Sequence, residues 1–521
     1  MTVDRLATQG SVRSTVEATR SEMALAWSSP PVRRGVFGSA LLLTGALSPA
    51  YLPEASPLRS LTGGLLGHWV VQTAAASLML VGVVILFDAW LRLRPVGGVT
   101  PPTSARATLA WWCLPLLVAP PLFSSDSFSY AAQGRLVADG IDPYQYGPFL
   151  GPDNFKELVD PLWLYTPAPY GPLSLQVNRF IVELTGRDAW WSAVLIRLPA
   201  ILGVVLLLWA VRRLAETFGV DGDKAIWWGV LNPIVLMHFV GGSHNDSLMV
   251  GIGAVALVLA TEGFLLGSAS VLGVAALMKQ PIAFMLPACI ALALAHRNGT
   301  PRPAFRQVVR GSLLAGGTFL GTFAAGTLIS GLGFGWISAA GVPGSVGSLS
   351  PSTNIGRILE WVLSIVHAPA GALTMAMPLA RTAVVAFGLG LGAFLALRCL
   401  HDASRTAQYI CWGMIAVASC LPALQVWYLL WGGVFIGLVR LSERQERVVM
   451  IMMVALLGYS TIDAVFRTGL LSFVILAVMA MAFPRITRRS TEHALPAFTP
   501  TVTRAWQAEV HRRSHHHSPH D

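Results

Sequence analysis

FLLGSASVLGVAALMKQPIAFMLPACIALALAH, residues 264–296, is an almost unbroken apolar stretch. A helix crossing a bilayer takes about 20 residues, with about 17–25 the usual range. The stretch is too long for one crossing, and Lys279-Gln280-Pro281 divides it with a charge, an amide and a ring that denies the helix a hydrogen bond. We read it as two shorter helices meeting at the outer face. The choice sets the orientation of everything downstream. Taken as one span, it would invert every later loop and put Arg297, Arg302, Arg306 and Arg310 outside. Taken as two, these stay inside with Arg33-Arg34, Arg92, Arg94, Arg212-Arg213, Arg444, Arg447 and Arg488-Arg489, as the positive-inside bias requires.

Other apolar runs lie at 35–52, 67–91, 107–123, 191–214, 224–240, 246–263, 309–330, 375–397, 406–421, 424–441, 447–463 and 468–484. The fold expected is an all-α polytopic membrane bundle of about 13–14 transmembrane helices, counted by span length. Residues 357–368 suit a short helix that does not span. The first run reads as an uncleaved span, because no convincing small-residue cleavage site follows it. The division expected is a cytoplasmic segment 1–34, a membrane domain 35–489 and a disordered, basic, His-rich cytoplasmic tail 490–521. Both termini are expected in the cytoplasm of a cell whose plasma membrane holds the chain.

Composition agrees. Among 521 residues 54% are hydrophobic and 12% charged, where soluble chains carry about 25% charged residues. The net charge of +10 could suit nucleic acid, but the basic residues form short clusters between apolar runs, as orientation signals do. No nucleic-acid partner is expected. The five cysteines all fall in apolar runs without metal-ligand spacing, so buried thiols are expected, and neither a metal nor a cofactor.

The outer loop 125–190 holds eight Asp/Glu against four Lys/Arg and is rich in Pro, Gly and Tyr. Loops this long are uncommon unless they work. It opens on Ser125-Asp126-Ser127-Phe128-Ser129-Tyr130. A carboxylate at the end of an apolar run is half desolvated, which raises its pKa toward a useful base. An ordinary helix cap explains Asp126 as well. Tyr130 lies one helical turn on, and Asp142-Pro143-Tyr144 and Tyr165 to Pro172, including Tyr170, add aromatic faces and fixed turns. The second outer loop, 331–356, is rich in Gly and Ser.

Gly241-Gly242-Ser243-His244-Asn245-Asp246 sets polar groups beside glycines at another outer edge. Lys279, Arg197 and Arg381 are cations within apolar runs, and Arg357 follows the second loop. Intramembrane charges mark function by default, and cations on one face suit an anionic ligand. Snorkelling to the interface accounts for Lys279 equally well. For Trp427-Tyr428 a Trp/Tyr interface belt is the simpler account.

Together Asp126 to Tyr130, Tyr144, Tyr170-Gly171-Pro172, His244-Asn245-Asp246, Lys279-Gln280-Pro281 and Trp427-Tyr428 resemble the actinobacterial polyprenyl-phosphomannose-dependent α-1,6-mannosyltransferases of lipomannan assembly, in the glycosyltransferase-C superfamily. The resemblance spans about 35–485. It implies a polyprenyl-phosphate-mannose donor, a lipid-anchored mannan acceptor and surrounding membrane lipid as partners. It implies inversion at the sugar with Asp126 as general base, although here the acid follows the third apolar run rather than the first. On that reading Lys279, His244, Arg357 and Arg381 would meet the donor phosphate. Tyr130, Tyr144, Tyr170, Asp246, Trp427 and Tyr428 would meet acceptor or sugar. Transfer of arabinose or another polyprenyl-linked sugar stays open, as does a lipid-glycan transporter or flippase. No twofold internal repeat supports the transporter.

Overall fold

In lipid every backbone N–H and C=O needs an internal partner, and a helix supplies one for each. The computed structural model describes residues 17–47, 52–62, 69–95, 103–339, 349–466 and 469–482, and no strand occurs among them. Residues 340–348 of the loop 331–356 and the expected tail lie outside the described residues.

Helices α1 (Pro30–Ala46) and α2 (Trp69–Arg92) pair along their lengths, and α3 (Ala105–Cys113) follows. In the 125–190 region α4 (Asp126–Ala138) packs on α5 (Pro172–Leu184). Next come α6 (Arg197–Phe218), α7 (Asp246–Thr261), α8 (Leu265–Ala276), α9 (Leu286–Asn298) and α10 (Phe305–Ile329). The chain continues through α11 (Pro351–Ile365), α12 (Ala370–His401), α13 (Glu443–Phe466) and α14 (Leu470–Ala482). Helices α6 and α7 meet through glycines: a Cβ on Gly251 would lie 2.6 Å from the Gly203 carbonyl. Small residues of this kind let membrane helices approach closely where water supplies no hydrophobic drive.

The all-α polytopic architecture is as read; what differs is the continuity of the helices. Six stretches among the described residues are long and apolar enough to cross a membrane, or seven if Pro233–Gly241 and Asp246–Thr261 form one broken span bent by 116°. Shorter apolar helices cover Ala105–Val118, Leu265–Ala276, Val426–Leu438 and Leu470–Ala482. Hydropathy counts apolar residues and overlooks what interrupts a helix. Asn232-Pro233 divides 224–240, and 424–441 is a series of short turns around Gly432-Gly433. The 264–296 stretch breaks where expected. Helix α8 ends at Ala276, Lys279 is fully extended, and a 3-10 turn from Gln280 leads into α9. The short helix expected near 357–368 is α11, whose Ile358, Trp361 and Ile365 are exposed, as lipid-facing side chains would be. Cys113, Cys289, Cys399 and Cys411 are buried free thiols, and Cys420 is half-buried.

Arg197 corrects the sequence reading. It is not a cation free for a ligand: it is 1% exposed, and its guanidinium is taken up by backbone. Nε donates to Val240 O at 2.8 Å and Nη1 to Leu117 O at 3.0 Å, while Nη2 reaches Pro120 O and Gly241 O at 3.3 Å. The fork thus ties the end of the third apolar run to the bend before α7. Arg197→Lys keeps the charge and loses the planar fork. We expect a loss of about 3 kcal/mol from stranded carbonyls, read as a lower Tm in detergent.

Candidate active site

Between Gly241 and Asp246 the chain cannot stay helical. A π-turn, Leu236–Gly241, gives way to Ser243 at φ 54° before α7 starts. A left-handed serine costs of order 1–3 kcal/mol, and such strain gathers at working sites. The bend presents His244 and Asp246 side by side, both completely buried.

His244 faces Asp126. Its Nδ1 lies 3.6 Å from Asp126 Oδ2 and 3.5 Å from Tyr130 Oη, and Tyr130 donates to the same carboxylate oxygen at 3.4 Å. The imidazole stacks on Trp427, centroids 3.7 Å apart and planes 16° from parallel. Asp126 is the first residue of α4, so the cap alternative is not its whole account: its carboxylate turns to Tyr130 and His244. Desolvation pushes its carboxyl up to about 6, against the pull of the Lys279 ammonium and the hydroxyls of Ser124 and Tyr130. Burial likewise holds the Tyr130 and Tyr170 phenols well above their usual range, so both stay protonated.

Lys279 is brought to the same place by the helix break. Its Nζ meets both Asp246 oxygens, at 3.0 and 3.1 Å, and lies 4.3 Å from the centre of the Tyr428 ring. Trp431 Nε1 donates to Asp246 Oδ1 at 2.6 Å. The loop is sewn to this break: Gly171 N donates to Met278 O and Leu173 N to Leu277 O, at 3.1 and 3.0 Å. Only glycine fits there, since a Cβ on residue 171 would sit 2.2 Å from Leu277 O.

Of these groups Asp126, Tyr170, Trp427 and Tyr428 border an open cleft, and Lys279 is not among its lining. Asp126, Ser129 and Gln133 of α4 form one side; Trp163, Thr166 and Tyr170 of the loop another; Gln425, Trp427 and Tyr428 a third. Of the residues singled out in the sequence, Asp126, Tyr170, Trp427 and Tyr428 therefore line it. Trp427 is 8% exposed and stacked on His244, so the interface-belt account fails for it. Tyr130 and His244 lie behind Asp126, and Asp246 behind Lys279. Tyr144 does not reach the cleft: it is buried and donates to Tyr170 O at 3.0 Å, supporting the wall from the rear. Arg381 donates to Thr353 Oγ1, which in turn bonds Pro422 O beside the third wall. Arg357 is exposed on α11, outside the cleft lining. Sequence reading missed Ser129, Gln133, Trp163 and Trp431 as site residues. Helical spacing from Asp126 would have flagged the first two; nothing local marks the others.

A sequence profile described as Alpha-(1->6)-mannopyranosyltransferase, N-terminal domain, matches residues 32–296. Alpha-(1->6)-mannopyranosyltransferase A of Mycobacterium tuberculosis is 32% identical over 77% of this chain and 78% of its own length. The chain belongs to this family. Alpha-(1->6)-mannopyranosyltransferase B of Corynebacterium glutamicum is 29% identical, over 76% of this chain and 71% of that protein. A probable alpha-(1->6)-mannopyranosyltransferase of Mycolicibacterium smegmatis is 32% identical, over 69% and 70%. The matched family segment contains Asp126, His244, Asp246 and Lys279, and the Trp427 wall lies beyond it.

Proposed function

We propose that this membrane enzyme moves mannose from polyprenyl-phosphate-mannose to a hydroxyl of a lipid-anchored mannan, forming an alpha-1,6 linkage with inversion. Its cleft would open on the outer face of the plasma membrane. The observation that carries the reading is the desolvated Asp126 carboxylate bordering an aromatic-lined cleft. The acceptor oxygen attacks the anomeric carbon from the side opposite the phosphate. Its proton passes to Asp126, the bond from carbon to phosphate oxygen breaks, and polyprenyl phosphate leaves with that electron pair. A phosphate leaves without protonation, so one carboxylate suffices, unlike the pair used in glycoside hydrolysis. Lys279 is paired with Asp246 and set against the ring of Tyr428, which lines the cleft. It would stabilise charge gathering on the leaving phosphate. Tyr130 donates to the Asp126 carboxylate and would steady it, with the His244 imidazole packed beside the pair.

Purified protein given polyprenyl-phosphate-mannose and a short mannoside should yield the next longer mannoside, with an α-1,6 bond read by NMR. Transfer from the arabinose donor alone would replace the sugar assignment. Movement of lipid-linked glycan between leaflets without product would make the chain a transporter instead.

A further inference from the structure

We infer that α4 carries a second sugar subsite, Ser129–Gln133 with Trp163, which holds the acceptor residue preceding the one that reacts at Asp126. This rests on the transferase reading and specifies how much of the acceptor the cleft recognises.

Three observations support it. First, Asp126, Ser129 and Gln133 lie at helical spacings of three and seven and line the same cleft, so they form one row along α4. Seven residues of helix advance about 10 Å, close to the length of two linked hexoses and not of one. Second, Ser129 Oγ and Gln133 Oε1 are both buried, in residues 4% exposed, and neither has a hydrogen-bond partner among the described residues. Buried polar atoms are paired in the great majority of cases. Two exceptions one helical turn apart, in residues that line the cleft, suit a ligand rich in hydroxyls, which both donate and accept. Third, the half-buried Trp163 borders the same cleft. An indole and two hydrogen-bonding groups on one cleft suit a pyranose, which has an apolar face and a polar rim. The reacting end, by contrast, holds the carboxylate, His244 and Trp427. Chemistry and length recognition are thus separated along a single helix.

The test compares a monomannoside with an α-1,6-linked dimannoside as acceptors, using polyprenyl-phosphate-mannose as donor. Wild type is expected to favour the dimannoside in kcat/KM. Gln133→Ala, Ser129→Ala and Trp163→Ala should each cut the dimannoside value by about tenfold, the worth of one good hydrogen bond or stacking contact. The loss on the monomannoside should be clearly smaller than that tenfold, and an unchanged Tm in detergent shows the variants to be folded. Equal losses on both acceptors, or a wild type indifferent to acceptor length, would overturn the subsite. No mannose transfer by wild type to either acceptor would instead sink the transferase reading itself.

Discussion

Replacing Asp126 with Asn is expected to lower mannosyl transfer by roughly 10²–10⁴-fold, the usual worth of a general base, with the protein still folded. The amide keeps the shape and takes no proton. Folding should not suffer, for a reason of linkage. Burial pushes the carboxyl up to about 6 in the folded protein, above the usual carboxylate range of the unfolded chain. The folded state therefore binds more protons between those values, and stability falls as pH rises through that window. Above it the charged form is held at a cost that the neutral Asn does not carry. The same titration sets the rate profile of the wild type. Transfer should climb with pH to about 6, where the carboxylate becomes the main form, and then level off. Near-normal turnover by the Asn variant, or a profile flat through that region, would remove Asp126 as base.

Breaking the Lys279–Asp246 pair should have the largest effect on stability. Both side chains are buried and bonded to each other. Removing one partner of a buried pair costs about 3–5 kcal/mol, because the other charge stays uncompensated. Lys279→Met should therefore lower Tm steeply, and adding Asp246→Asn should restore much of the loss. The double variant separates structure from chemistry. If Lys279 also meets the donor phosphate, the restored protein keeps a raised donor KM and a normal acceptor KM. Recovery of donor KM along with Tm would leave the lysine a structural role alone.

Much of this was legible in the sequence. The break at Lys279-Gln280-Pro281 shows in composition because a charge and a proline interrupt an apolar run, and the structure bends there. Asp126, His244 and Lys279 lie far apart in the chain, yet each stands where an apolar run ends or breaks. What the sequence hid depends on partners. Arg197 reads like a spare cation, and only the third dimension shows four carbonyls converging on it. Tyr144 looks as suited to sugar as Tyr170, but its hydroxyl is spent on the backbone of Tyr170. Continuity of 224–240 and 424–441 was overestimated because hydropathy does not register short turns.

The seam between Gly171–Leu173 and Leu277–Met278 bears on how a bulky glycan gets in and out. Two main-chain bonds and a residue with no room for a methyl group make that flank a fixed jaw. The wall at 421–428 is held from behind as well: Ser350 and Thr353 donate to Leu421 O and Pro422 O. Arg381 on α12 holds Thr353 in turn, so the α11–α12 hairpin, whose apolar side chains face outward, is tied directly to the rim of the cleft.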